Sequence, residues 1–353
     1  MKTTITRQTG NQGYKSHPSN YVDRLMGFVA RLPIPYWVTY LVLFLLQSAV
    51  FHFLAWSDGW LDAYTFNTLI LLFPLWLWAP LAIMTYLDST SLDALSSFEP
   101  LLDITDNELQ QLKDEFTTMP TRNVIISSLI WVAVYILLTY LNWQSFYLDN
   151  GLSTPFIVTS IIAGLFPFFI GSTIYYHSIR QLRLVNRTVK MVKQFNLFHL
   201  EPVYTFSRVT ARTGIAWVLL LSFTLLLFPI QLSTLPTLVM FAIQIVLAIA
   251  AFMLPLWVVH QRLIEEKRRL VSELNQRVEE TIAKLHLNLD KNQLNEVPQL
   301  NDALAALNAE REILNKIPTW PWPTGVLTGF LSAIVLPVVL FLLQFFLGNL
   351  LGN

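Results

Sequence analysis

A chain can do chemistry only where nucleophiles, acids, bases or metal ligands recur at workable spacing, and this one offers few. Cysteine is absent, which removes thiol chemistry, disulfides and Cys-ligated zinc or iron–sulfur clusters. Six histidines, His17, His52, His177, His199, His260 and His286, lie far apart with no metal-ligand spacing. The sequence holds no H-E-x-x-H, G-x-S-x-G, Walker A or G-x-G-x-x-G motif. The pairs Glu265-Glu266 and Glu279-Glu280 resemble acid/base dyads only in isolation. Glu265, Glu273 and Glu280 each precede Arg269, Arg277 and Lys284 by four residues, the favourable helical order for ion pairs, so this is a solvated helix face. No catalytic, cofactor or metal site is expected, and the chain is not read as an enzyme.

The polar side chains left to explain lie inside apolar runs. Gln47, His52, Gln244 and Gln344 are expected to make interhelical hydrogen bonds, the ordinary use of such groups in lipid. His177 and His260 both fall just inside an interface; they are read as two separate interfacial residues, with a pH-sensing pair as the alternative. The run before the C-terminus is the most informative. Gly325, Thr328, Gly329, Ser332 and Ala333 put small and hydroxyl residues on one side of it, a surface that permits close helix packing or lines water. The candidate pore-lining residues are Thr328, Ser332, Leu336, Val339, Leu343 and Gln344. On a straight helix Gln344 stands about 100° from the line through Gly325, Ser332 and Leu343, with Pro337 placed to rotate the outer half.

Those residues need elements to hold them, and composition says which. Of 353 residues 54% are apolar and only 13% charged, with zero net charge; soluble domains carry about 25% charged residues. The chain is expected to be a multi-pass integral membrane protein of the cell membrane. Its neutral balance argues against a nucleic-acid partner. A bilayer core about 30 Å thick needs roughly 20 apolar residues per helix. Seven runs meet this: Pro35 to Trp56, Asn67 to Leu87, Asn123 to Asn142, Pro155 to Tyr176, Thr213 to Pro229, Pro236 to Val258 and Thr324 to Leu347. None contains Asp, Glu, Lys or Arg, which lowers the expectation of a proton- or sodium-coupled transporter.

All 23 Lys and Arg residues fall before the first run or in alternate loops after the second, fourth and sixth. Positive residues stay cytoplasmic, so the N-terminus is expected inside and the C-terminus outside. Residues 1–34 hold no apolar stretch with a cleavage site, and no secretory signal peptide is expected. The fold class is therefore all-α, with seven transmembrane helices and a cytoplasmic helical bundle. Four segments follow: 1–34, a cytoplasmic N-terminal segment; 35–258, six transmembrane helices with extended cytoplasmic loops; 259–317, a cytoplasmic helical extension and a short amphipathic helix; 318–353, the last transmembrane helix. The fourth helix should continue through Ser178 to Gln194, and Arg180 to Lys193 lie where headgroups would be met. The sixth should run from Pro236 to Leu289, roughly 80 Å, kinked at Pro255. Phe98 to Thr118 should add a surface helix.

This organisation resembles the insect gustatory and odorant receptor superfamily, seven-helix ligand-gated cation channels that assemble as tetramers. The similar features are the inside N-terminus, the cytoplasmic extensions of helices four to six and a last helix split by Pro318-Thr319-Trp320-Pro321-Trp322-Pro323. That family's last helix carries Thr-Tyr, five apolar residues and Gln-Phe. Here Gln344-Phe345 follows five apolar residues, while Pro337-Val338 stands where Thr-Tyr would be. The Pro-Thr-Trp-Pro-Trp stretch is also similar to one in prokaryotic membrane proteins of uncharacterised function.

The resemblance implies a homo-oligomeric membrane channel or receptor-channel, a tetramer in the favoured case, with the last helix lining the pore and the cytoplasmic helices holding the assembly. Its partners would be the bilayer, further copies of the chain and a small-molecule ligand. Uncharged spans are compatible with conduction through hydroxyls, carbonyls and hydrophobic gates. The alternatives are a non-conducting scaffold or sensor that docks a partner through its cytoplasmic helices, and a transporter of an uncharged substrate.

Overall fold

The computed structural model describes residues 18–148, 151–192, 196–198, 200–227, 235–322 and 324–351. Among these the protein is all-helical, with no β-strand. It divides into two compact units, one comprising the described residues up to Glu99 with Asp103–Gln181, the other Pro100–Leu102 with the described residues from Leu182 onward.

Local chemistry sets the helix boundaries of the first unit. Helix α1 (Tyr21–Ala30) starts at Asn20, whose side-chain oxygen accepts from Val22 and Asp23 N–H groups that lack a helical partner. Helix α2 (Tyr36–Asp58) follows Pro35 and closes at Gly59, where φ is +76° and a side chain would be strained. Helix α3 (Leu72–Phe98) is led by a short 3₁₀ turn that Asn67 caps. The acidic segment 98–118 forms α4 (Asp106–Thr117), opened by a reciprocal Thr105–Glu108 capping box and packed through Leu109, Leu112 and Phe116. Pro120 ends it and precedes α5 (Thr121–Leu141).

The fourth expected span is two helices with a seam. Helix α6 (Thr154–Phe166) passes through a π-turn at Pro167–Gly171 into α7 (Thr173–Met191). Pro167 lacks the N–H that an α-ladder would use, and the wider turn absorbs the loss. Gly171 faces the backbone carbonyl of Trp76 so closely that a Cβ would collide with it, and Gly164 does the same against the ring of Tyr135. Small residues thus let α6–α7 approach α3 and α5, as membrane helices commonly require.

The second unit is built on α8 (Glu201–Leu227), α9 (Leu235–Asp290), α10 (Val297–Lys316) and α11 (Thr324–Leu351). Helix α9 spans 56 residues, about 84 Å, and stays helical across position 255. Helices α9 and α11 both pack on α8, and α10 folds back along α9. Ala211, Phe252 and Phe330 bring α8, α9 and α11 together, with the Phe252 and Phe330 rings stacked at 4.0 Å.

Among the described residues five helices are long and apolar enough to cross a membrane: Tyr36–Asp58, Thr68–Leu101, Asp106–Leu141, Thr154–Met191 and Ile245–Asp290. They mark the chain as a membrane protein. The expected fifth span lies on α8 as far as Leu227, and its last residues fall outside those described. The expected seventh lies on α11, where Gly325–Leu336 is a shorter apolar helix.

Candidate functional site: the exposed face of the last helix and a buried polar cluster

Helix α11 starts where Pro318 to Trp322 crosses back to α9. His260 donates from Nδ1 to the Thr319 carbonyl at 2.9 Å and stacks on Trp320 at 3.8 Å, and Trp320 stacks on Trp322 at 4.5 Å. Phe252 then meets Trp322 at 5.6 Å. This aromatic ladder fixes the entry, and packing fixes the rotation. Phe330 is buried, with Val326, Leu327 and Ile334 packed around it.

The opposite side is open. Gly325, Thr328, Gly329, Leu331, Ser332, Val335, Leu336, Val339 and Leu343 are exposed. At 100° per residue they occupy an arc about 160° wide. The candidate pore-lining residues Thr328, Ser332, Leu336, Val339 and Leu343 all fall within it; the Gln344 side chain lies outside the described residues. A Cβ added at Gly325 or Gly329 meets nothing within 4 Å.

The first unit holds a second group of polar residues. His177 Nε2 lies 2.7 Å from Asp88 Oδ1, both side chains largely buried. His177 Nδ1 is buried without a partner among the described residues. One turn on, Gln181 donates to the Leu87 carbonyl at 3.1 Å, while its own oxygen and the Ser91 hydroxyl are buried and without a partner among the described residues. Nearby, Asp23 accepts from the Met119 N–H at 3.0 Å and from Asn20 at 2.7 Å. Burial pushes the Asp23 carboxyl above its ordinary pKa, an effect those hydrogen bonds partly oppose. Arg180 lies within the electrostatic reach of Asp23, Asp88 and Glu115.

The sequence marks His177 as an interfacial residue but does not pair it with Asp88, because both lie just outside the apolar runs. Asp88 and His177 are each the first residue after a run ends, at Leu87 and Tyr176. Alternate spans point the same way, so the two residues arrive at matching depth, and that was the available signal.

The other expected polar residues are placed as follows. Gln47 accepts from Trp78 Nε1 at 2.6 Å, an interhelical bond as expected. His52 donates from Nδ1 to Ser48 O at 2.8 Å and accepts at Nε2 from Asn67 N at 3.2 Å, so both ring nitrogens are used. The side chain of Gln244 lies outside the described residues. His177 and His260 each have a partner within their own unit. Among the described residues no group of three or more potential metal ligands forms. The chain matches no protein-family model, no curated protein and no solved structure.

Proposed function

We propose that the protein is a homo-oligomeric channel of the cell membrane, with seven spans, N-terminus inside and C-terminus outside, in which copies gather around the exposed face of α11. The observation that carries this reading is the arc just described. Packing against α8 uses Phe330 and its neighbours and leaves Thr328, Ser332, Leu336, Val339 and Leu343 together on the other side. Hydroxyls and glycines turned toward lipid gain little, whereas around an axis they line water or allow close contact. A cyclic assembly places one such face per copy at the centre.

The chain's lack of cysteine makes the test direct. Single Ser332→Cys, Val339→Cys and Ile334→Cys variants are reconstituted in liposomes, and monovalent cation flux is followed before and after a charged, thiol-specific reagent. The expected result is flux in all, blocked by reagent at positions 332 and 339 and untouched at 334 and in the parent. A protein that carries no flux, or flux indifferent to reagent at 332 and 339, overturns the reading and favours a non-conducting scaffold.

A further inference from the structure

In the first unit an open-sided groove of about 480 Å³ runs between α2, α3 and the α6 to π-turn segment. Leu43, Leu46, Leu77, Ile170, Gln47 and Trp78 are among its lining residues. One polar pair interrupts the apolar wall. Trp78 donates to Gln47 Oε1, which spends the amide oxygen and fixes the amide plane. The amide nitrogen carries two further donors, and among the described residues no acceptor takes them.

Depth decides what could. Gln47 is the middle residue of α2, about 16 Å along the axis from either end, which is the centre of a hydrocarbon core about 30 Å thick. Unpaired donors there are costly, since no water competes for them. A bilayer phospholipid carries its ester oxygens at the interface and offers only methylene groups at this level. The partial positive charge of the two N–H groups is complemented by a molecule that brings an acceptor oxygen to the midplane.

We propose that this groove binds a hydrocarbon-soluble molecule bearing a carbonyl, such as a long-chain ketone, with its oxygen on Gln47 Nε2 and its chain along Leu43, Leu46 and Leu77. The bond held by Trp78 presents the amide in the orientation that receives it. This site lies in the first unit and does not depend on whether the protein conducts.

The full-length protein in phosphatidylcholine nanodiscs is labelled with a long-chain methyl ketone carrying a diazirine, and the adducts are mapped by mass spectrometry. Adducts are expected on α2 and α3 around Leu43, Leu46 and Leu77, displaced by unlabelled ketone at a concentration at least tenfold below that needed of the matched alkane. Gln47→Leu should abolish this preference while labelling by the alkane diazirine persists. Trp78→Phe, which keeps the amide but frees its plane, should weaken the preference for ketone without abolishing it, and so separates loss of the amide from loss of packing. Equal displacement by ketone and alkane in the parent protein, or a preference that survives Gln47→Leu, overturns the proposal and leaves an ordinary contact with acyl chains.

Discussion

His177 and Asp88 join α7 to α3 through one hydrogen bond of 2.7 Å. Removing one partner strands the other in a buried place, which costs about 1–3 kcal/mol. His177→Ala is therefore expected to lower the stability of the detergent-solubilised protein by about 2 kcal/mol, while His177→Gln, which keeps a donor, should cost less; thermal melts of the two variants decide it. The neighbouring glycine makes a sharper case. Gly171 meets the Trp76 carbonyl, a backbone atom that cannot swing aside, so Gly171→Ala forces α3 and the π-turn apart. Overpacking of this kind costs about 1–3 kcal/mol. Gly325→Ala and Gly329→Ala, with open space around both, should leave the melting temperature of the isolated chain unchanged. Equal losses at positions 171 and 329 would mean that close backbone approach is not what the first glycine supplies.

Helix ends show what sequence patterning can and cannot deliver. Asn20, Pro35, Thr105, Pro120 and Pro155 stand at or beside helix starts, and Gly59 at an end, so local chemistry makes these boundaries readable. The long charged run of α9 is readable for the same reason, since its Glu-to-base spacing stabilises helix without tertiary help. The π-turn at Pro167–Gly171 is not: hydropathy treats 155–176 as one uniform run, and the seam arises where Pro167 and the close contact at Trp76 meet. The rotation of α11 is readable only in part: its small and hydroxyl residues mark one side, but apolar residues surround the helix, and the side that packs is selected by Phe330 and its neighbours against Phe252.

Two measurements test elements. In α4, hydrogen bonds from the Thr105 backbone N–H and hydroxyl hold the Glu108 carboxyl below its ordinary pKa. A carboxyl whose folded value is depressed stabilises above its unfolded pKa, near 4.3, and that contribution is lost as pH falls through the folded value. Amide protection in residues 106–112 should thus fall with acid below about pH 4.5, and Thr105→Ala should flatten the dependence. At the far end of the chain Lys267 Nζ donates to the Asn315 and Ile317 carbonyls, which close α10. Lys267→Ala leaves these acceptors to water, and faster hydrogen exchange confined to residues 310–318 is the expected mark.

At the scale of the whole molecule the exposed arc of α11 makes the proposed assembly testable by mass. Four copies of the 40.6 kDa chain would weigh about 162 kDa. If copies associate through that arc, bulk placed on it should be harmless to one chain and harmful to the assembly. Gly329 is suited to the experiment, because it lies on the arc with nothing within 4 Å of an added Cβ and sits one residue from buried Phe330. Gly329→Leu is expected to keep the melting temperature of the monomer while shifting the detergent-corrected mass from tetramer toward single chains. Phe330→Ala should do the reverse at the level of fold, losing about 3–5 kcal/mol as a large buried ring is removed from the contact with Phe252. Ala248 O also lies close to Gly214 beside that ring, so the damage should spread to the α8 to α9 crossing. A parent protein that is monomeric in mild detergent and in nanodiscs would remove the axial pore, because no second copy would then cover Thr328 and Ser332. A tetramer that Gly329→Leu leaves intact would place the assembly contact elsewhere, and the hairpin of α9 and α10 would be the next surface to substitute.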